Sequence, residues 1–182
     1  LVLFLLNQPR TALQTELDQF YRVLNQASVE TQVVTAQAFS KARNKLKPEV
    51  FESLNQALQQ QIDSLGLRQT WRGLCVLAVD GSSVHLPLEP AMGRFFGLHG
   101  EQPTARLSAL HDVMDGQTLH SLIVPAEVDE RDCAHLHLAH LPANSLTLFD
   151  RGYPGHWLFA LFEQQQRHFL MRLPRGYNAQ VK

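Results

Sequence analysis

The sequence predicts an α/β protein, a mixed sheet flanked by helices and preceded by a small all-helical N-terminal region. Three observations carry that expectation. Apolar residues recur every three to four positions through the first 65 or so residues, and the period changes after Trp71. Strand-like runs then alternate with helical ones, a pattern that needs helical crossovers and a partly parallel sheet. Turn signals, above all Asp115-Gly116, separate the runs.

The elements follow in order. Leu1 to Leu6 is an apolar run too short to span a bilayer, where about 20 residues are needed. It has no basic region before it, and it reads as part of a helix. Leu13, Leu17, Phe20 or Tyr21, and Leu24 form one amphipathic stripe. A second helical stretch begins near Ser28 and carries Val33, Val34, Ala38 and Phe39. Pro48 suits the first turn of a third, with Glu49 at its positive end. Val50, Phe51, Leu54, Leu58 and Ile62 form its apolar face, and Gly66 ends it. The boundary between helical region and sheet is expected at residues 68 and 69.

Leu74 to Val79 is a continuous β-prone run, expected to be buried on both faces and to stop at Asp80-Gly81-Ser82-Ser83. Ala105 to Val113 and Thr118 to Val124 make a hairpin across Asp115-Gly116. Asp129 to Leu141 has helical spacing, and Pro142 stops it. Ser145 to Phe149 is a strand ending at Asp150-Arg151-Gly152-Tyr153, Gly155 to Gln165 a helix, and His168 to Leu173 a last strand.

With 182 residues, 45% of them apolar and 18% charged, the chain can bury a sizeable core, which excludes wholesale disorder. Net charge is −1, from 16 basic and 17 acidic residues. Dedicated nucleic-acid binders are usually more basic, so distribution matters more than the sum. Lys41, Arg43, Lys45 and Lys47 crowd one stretch, and Arg167, Arg172, Arg175 and Lys182 another. Cys75 and Cys133 form no CxxC pair and read as buried thiols of a reducing cytoplasm. The start at Leu1 and the unclosed last stretch predict a piece cut from a longer protein.

Two segments share a design that points to chemistry. Val79-Asp80-Gly81 and Phe149-Asp150-Arg151-Gly152 each end a buried strand in an aspartate followed by small residues. In open α/β sheets ligands gather beyond the carboxyl ends of strands. Two carboxylates converging there need a cation between them, and hard oxygen ligands favour Mg²⁺ or Mn²⁺. The glycines are expected to let a substrate backbone approach closely.

Four segments in this order, Leu77 to Ser82, Leu107 to Gly116, Leu146 to Tyr153 and Phe169 to Leu173, resemble the DDE transposases of bacterial insertion sequences, of the type called IS-four. The Phe39-Ser40-Lys41-Ala42-Arg43 segment is also similar to that family's N-terminal region, so the resemblance runs from about Phe39 to Leu173. It implies an RNase H-like fold and cut-and-paste transposition, with DNA cleavage and strand transfer at insertion-sequence ends. In that scheme Asp80 and Asp150 are catalytic and hold divalent ions about 4 Å apart. The partners implied are double-stranded DNA, as transposon ends and as target, and a second copy of the chain on paired ends. No membrane is involved, and the place expected is the bacterial cytoplasm, at the nucleoid when DNA is bound.

The family carries a third acid, a glutamate on a helix well after the fifth strand, and Lys182 comes before any such helix. The expectation is therefore an incomplete, inactive fragment. Glu163 is no substitute, because it falls between the fourth and fifth strands. Arg151, Tyr153 and Arg172 are candidate phosphate contacts beside the site, and Lys41, Arg43 and Lys45 a candidate backbone-binding edge; a solvated helix face explains the latter equally well. His135, His137 and His140 lack a fourth ligand at zinc spacing and read as partly exposed helix histidines. Asp129, Glu130 and Asp132 read as the acidic first turn of a helix. The rival readings are a non-catalytic remnant that engages DNA or an intact transposase, and another RNase H-like nuclease.

Overall fold

A computed structural model describes residues 1–7, 10–29 and 31–177; Lys182 of the C-terminal basic group lies outside them. The chain divides into two compact units, Leu1–Leu54 and Asn55–Lys182.

The first unit holds helices α1 (Val2–Leu6), α2 (Leu13–Leu24), α3 (Ala36–Arg43) and the beginning of α4 (Glu49–Ser64). The stripe of α2 turns Leu17 inward against Phe4 and Phe39. Phe4 meets Phe39 and Phe20 edge to face, with centroids 4.8 Å and 5.4 Å away. Helix α3 is shorter than its apolar pattern suggests, because a better start lies further on. The Thr35 hydroxyl accepts from the Ala38 N–H at 3.1 Å and caps the helix there. The stretch ahead of it is held instead by Gln14, which donates to the Val34 carbonyl and accepts from the Ala36 N–H.

The second unit contains β1 (Cys75–His85), α5 (Pro90–Phe96), β2 (Leu98–His99), β3 (Gln102–Asp112), β4 (Gln117–Pro125) and α6 (Glu130–His137). A 3-10 turn, Leu138–His140, follows, then β5 (Ser145–Phe149), α7 (His156–Gln164) and β6 (His168–Met171). The sheet runs β4-β3-β1-β5-β6, with β2 on the first residues of β3. Strands β1, β3 and β4 are antiparallel neighbours, whereas β5 and β6 run parallel to β1. This order and these directions make an RNase H-like mixed sheet. Gly116 takes the left-handed conformation, φ 67°, that the β3–β4 turn requires.

Two strand expectations need correction. β1 buries Cys75, Leu77 and Val79 but leaves Val76 and Ala78 half-buried, so burial is complete on one face only. Nor does β1 stop at Asp80. Its ladder with β3 continues to His85 opposite Thr104, after the ladder with β5 has ended. The core on the buried face joins Leu77, Leu110, Ala134, Leu138, Phe149, Leu158 and Phe162. Among the described residues no helix is long and apolar enough to cross a membrane.

Two polar clusters sit inside this unit. Asp112, fully buried, pairs with Arg68 at 2.9 Å and accepts the Cys75 thiol at 3.2 Å and the N–H groups of Met114 and Asp115. Burial first, then the carboxylate, pushes the Cys75 thiol up to about 12. Both cysteines are free and buried.

The second cluster corrects the view of His137 as partly exposed, whereas His135 and His140 are exposed as expected. His137 is only 1% exposed. Its ring nitrogens lie 3.0 Å from the Ser108 hydroxyl and 2.8 Å from His120 Nδ1, and His140 stacks on His120. Burial, then the neighbouring His120 and His140, pushes His137 down to about 4. The unfolded chain, near pKa 6.5, binds this proton first, so the contribution is fully present above about pH 6.5 and lost as pH falls towards 4. We expect roughly 2 kcal/mol less stability at about pH 5 than at about pH 7.5 from this group. Denaturant midpoints at the two pH values check it. The pH difference should shrink in His137→Gln, and an unchanged difference would assign it elsewhere.

Candidate functional site

The parallel strands set the geometry. Ala78 of β1 pairs with Leu148 of β5, and two residues further along each strand stand Asp80 and Asp150. Phe149 of β5 pairs with Met171 of β6, so Arg172 follows at the level of Asp150. Asp80, Asp150 and Arg172 therefore each stand one or two residues past the last parallel-paired positions of three neighbouring strands. All three residues are exposed. Asp80 accepts from the Gly81 N–H at 2.9 Å, and Asp150 from the Gly152 N–H at 2.7 Å. Each carboxylate is therefore steadied by the backbone that follows it.

The glycines lie close to the chain's own carboxylates. A Cβ at Gly81 would lie 3.3 Å from Glu130 Oε1. A Cβ at Gly152 would lie 3.1 Å from Asp150 Oδ1 and 3.8 Å from Glu130 Oε2. Both glycines lie outside the left-handed region, so their smallness, not their freedom, is what the position needs. They accommodate the chain's own carboxylates. Glu130, the first residue of α6, is held by Arg106 at 2.6 Å. The sequence offers no sign of this placement, since an acidic residue in a first turn is ordinary.

Tyr153 is not at the surface, as a DNA contact would have to be. Its side chain is 1% exposed and its ring packs on Phe149 at 5.1 Å. The apolar core claims the ring because it follows the buried strand β5 directly. Its hydroxyl has no hydrogen-bond partner among the described residues. Burial, then Glu130, Asp80 and Asp150, pushes it well above the usual tyrosine range. The three carboxylates therefore act on one buried hydroxyl from nearby.

The other candidates are spread over both units. Lys41 and Arg43 occupy the last turn of α3 and Lys45 follows it, all exposed in the first unit. Arg151 is exposed directly after Asp150. Glu163 is on α7 between β5 and β6, as expected, and is exposed. Two carboxylates, one within β1 and one just past β5, are hard donors suited to a divalent cation. Among the described residues, no three His, Cys, Asp or Glu side chains are already gathered at ligand spacing.

The family model described as "Transposase DDE domain" matches residues 71–182. InsZ of Escherichia coli (strain K12), which carries the name of a transposase, is 30% identical over 114 residues. That match covers 58% of this chain and 38% of InsZ, so the chain spans well under half of this relative. Two solved structures are similar at low identity. The piggyBac transposase synaptic complex with hairpin DNA is 11% identical with a TM-score of 0.48, over 100% of this chain and 41% of that one. The Mos1 transposase paired-end complex with left transposon end is 12% identical with a TM-score of 0.38, over 92% and 61%. At such scores the strand order of this chain, not the superposition, is the ground for its fold.

Proposed function

Because the chain belongs to the Transposase DDE domain family, we propose that it forms part of the catalytic domain of a cut-and-paste DNA transposase with Asp80 and Asp150 as its metal-binding pair. The observation that supports this reading is that Asp80 and Asp150 each follow by two residues the last registered pair, Ala78 and Leu148, of two neighbouring parallel strands. Each of these exposed carboxylates is steadied by a backbone N–H that follows it.

The family works with divalent metal ions, and Mg²⁺ or Mn²⁺ suits an oxygen-only donor set. A cation bound there would activate the attacking water or DNA 3′-hydroxyl and stabilise the leaving oxygen. The chain's residues do the positioning. Asp80 and Asp150 supply the negative charge that holds the cation. Arg172, just past β6, offers a phosphate contact, and Arg151 a second. Lys41, Arg43 and Lys45 add sequence-independent attraction to the DNA backbone. The proposed substrates are insertion-sequence ends and target DNA, handled by a homodimer.

The test is cleavage and joining of DNA that carries insertion-sequence ends, by the chain and by a version extended to the length of its relatives. Mn²⁺-dependent cleavage followed by joining supports a transposase. Cleavage without joining would make it another nuclease of this fold, and DNA binding with no cleavage by the extended chain would leave a binding module.

A further inference from the structure

Resting on the metal-binding reading of Asp80 and Asp150, we propose that the Glu130 carboxylate is a third ligand for the same divalent cation, held back by Arg106 until the cation arrives. Three observations converge on it. The first is position. Glu130 Oε1 comes within 3.3 Å of the Cβ position of Gly81, and its Oε2 within 3.8 Å of that of Gly152. Glu130 therefore touches the residue after Asp80 and stands two residues from Asp150, bridging the two strand ends from the start of α6.

The second is the hydroxyl of Tyr153. The side chain is 1% exposed, the oxygen has no partner among the described residues, and Glu130, Asp80 and Asp150 all act on it. A buried donor is rarely left unsatisfied. This buried hydroxyl gains a partner when a water completing a cation's shell sits against it.

The third is Arg106. Three like charges at one strand end repel without a counter-charge. Arg106 supplies one by binding Oε1 at 2.6 Å, and Oε2 carries no hydrogen bond among the described residues. Both partners are partly exposed, 23% and 37%, so the pair is weak enough to yield to a divalent ion. This accounts for three carboxylates that are near one another yet not gathered at ligand spacing. Arg106 is a positioning residue here, and Glu130 a ligand.

Mn²⁺ binding to the whole chain, read by the paramagnetic resonance of free Mn²⁺, tests this without any catalysis. Glu130→Gln is expected to weaken binding on the order of tenfold. Asp132→Asn, exposed on the same helix, removes an equal charge and should change it by less than about twofold. Unchanged affinity in Glu130→Gln would overturn the inference, as would an equal loss in both variants, which would reduce the effect to bulk charge. Asp80→Asn and Asp150→Asn separate the two levels. If they leave Mn²⁺ binding intact, the underlying metal-site reading fails; if they abolish it and Glu130→Gln does not, only the inference fails. Circular dichroism of each variant verifies that the fold is retained.

Discussion

Asp150→Asn is expected to lower metal-dependent DNA cleavage by on the order of a thousandfold in the extended protein while leaving DNA binding nearly intact. Asparagine keeps the shape of the side chain, and its amide oxygen can still accept the Gly152 N–H that Asp150 accepts at 2.7 Å. What it lacks is the charge that draws a divalent cation to the strand end. Asp80→Asn should behave alike, and the double variant should be little worse than either, because ligands of one centre act as a unit. DNA affinity comes from phosphate neutralisation by Lys41, Arg43, Lys45, Arg151 and Arg172 in this reading, so its salt dependence should survive both substitutions. A single-turnover cleavage rate within about threefold of the parent in either variant would remove that aspartate from the site.

Arg68→Met is expected to destabilise the second unit by about 3–5 kcal/mol, the usual cost of leaving one partner of a buried pair behind. Asp112 is fully buried, and Arg68, 13% exposed, is its cationic partner at 2.9 Å. The carboxylate would retain the Cys75 thiol and two backbone N–H groups, none of them charged. Against a total stability of roughly 5–15 kcal/mol for a domain, that loss is large enough to show as a shifted urea midpoint. Arg68→Lys should recover part of it, since the charge returns without the fork that also reaches Asp63 and Gln59. A midpoint shift equivalent to less than about 1 kcal/mol would mean that Asp112 finds its counter-charge elsewhere.

What could be read from the sequence, and what could not, divides along physical lines. Helix α2, strand β5 and the Gly116 turn follow from local signals, namely periodicity, a continuous apolar run and a left-handed glycine. Helix α5 was missed because it is seven residues long, contains Gly93 and buries none of its side chains, so it has no stripe to see. The continuation of β1 to His85 depends on what β3 offers opposite it, which no local pattern encodes. The placement of Asp80 and Asp150 just past paired positions of neighbouring strands was legible because both follow apolar runs in the same way. Glu130 was not, because its approach to Gly81 and Gly152 depends on how α6 packs against the sheet. Tyr153 was misjudged for the converse reason: a tyrosine beside charged residues looks like a surface contact until the core is assembled around its ring.

The parallel ladder between β1 and β5 also orders events in time. Strands β3 and β4 meet across a tight turn, so that hairpin closes early, within microseconds by the usual scale. Pairing Cys75 with Ser145 instead closes a loop of about 70 residues and must await most of the chain. The two aspartates are separate until that slow step, and they separate again as soon as β5 lets go. If Asp80 and Asp150 hold a cation as proposed, a nascent or partly unfolded copy can display much of its final circular dichroism before it is able to capture one. In that reading metal affinity is a stricter gauge of completed folding than any spectrum of the backbone.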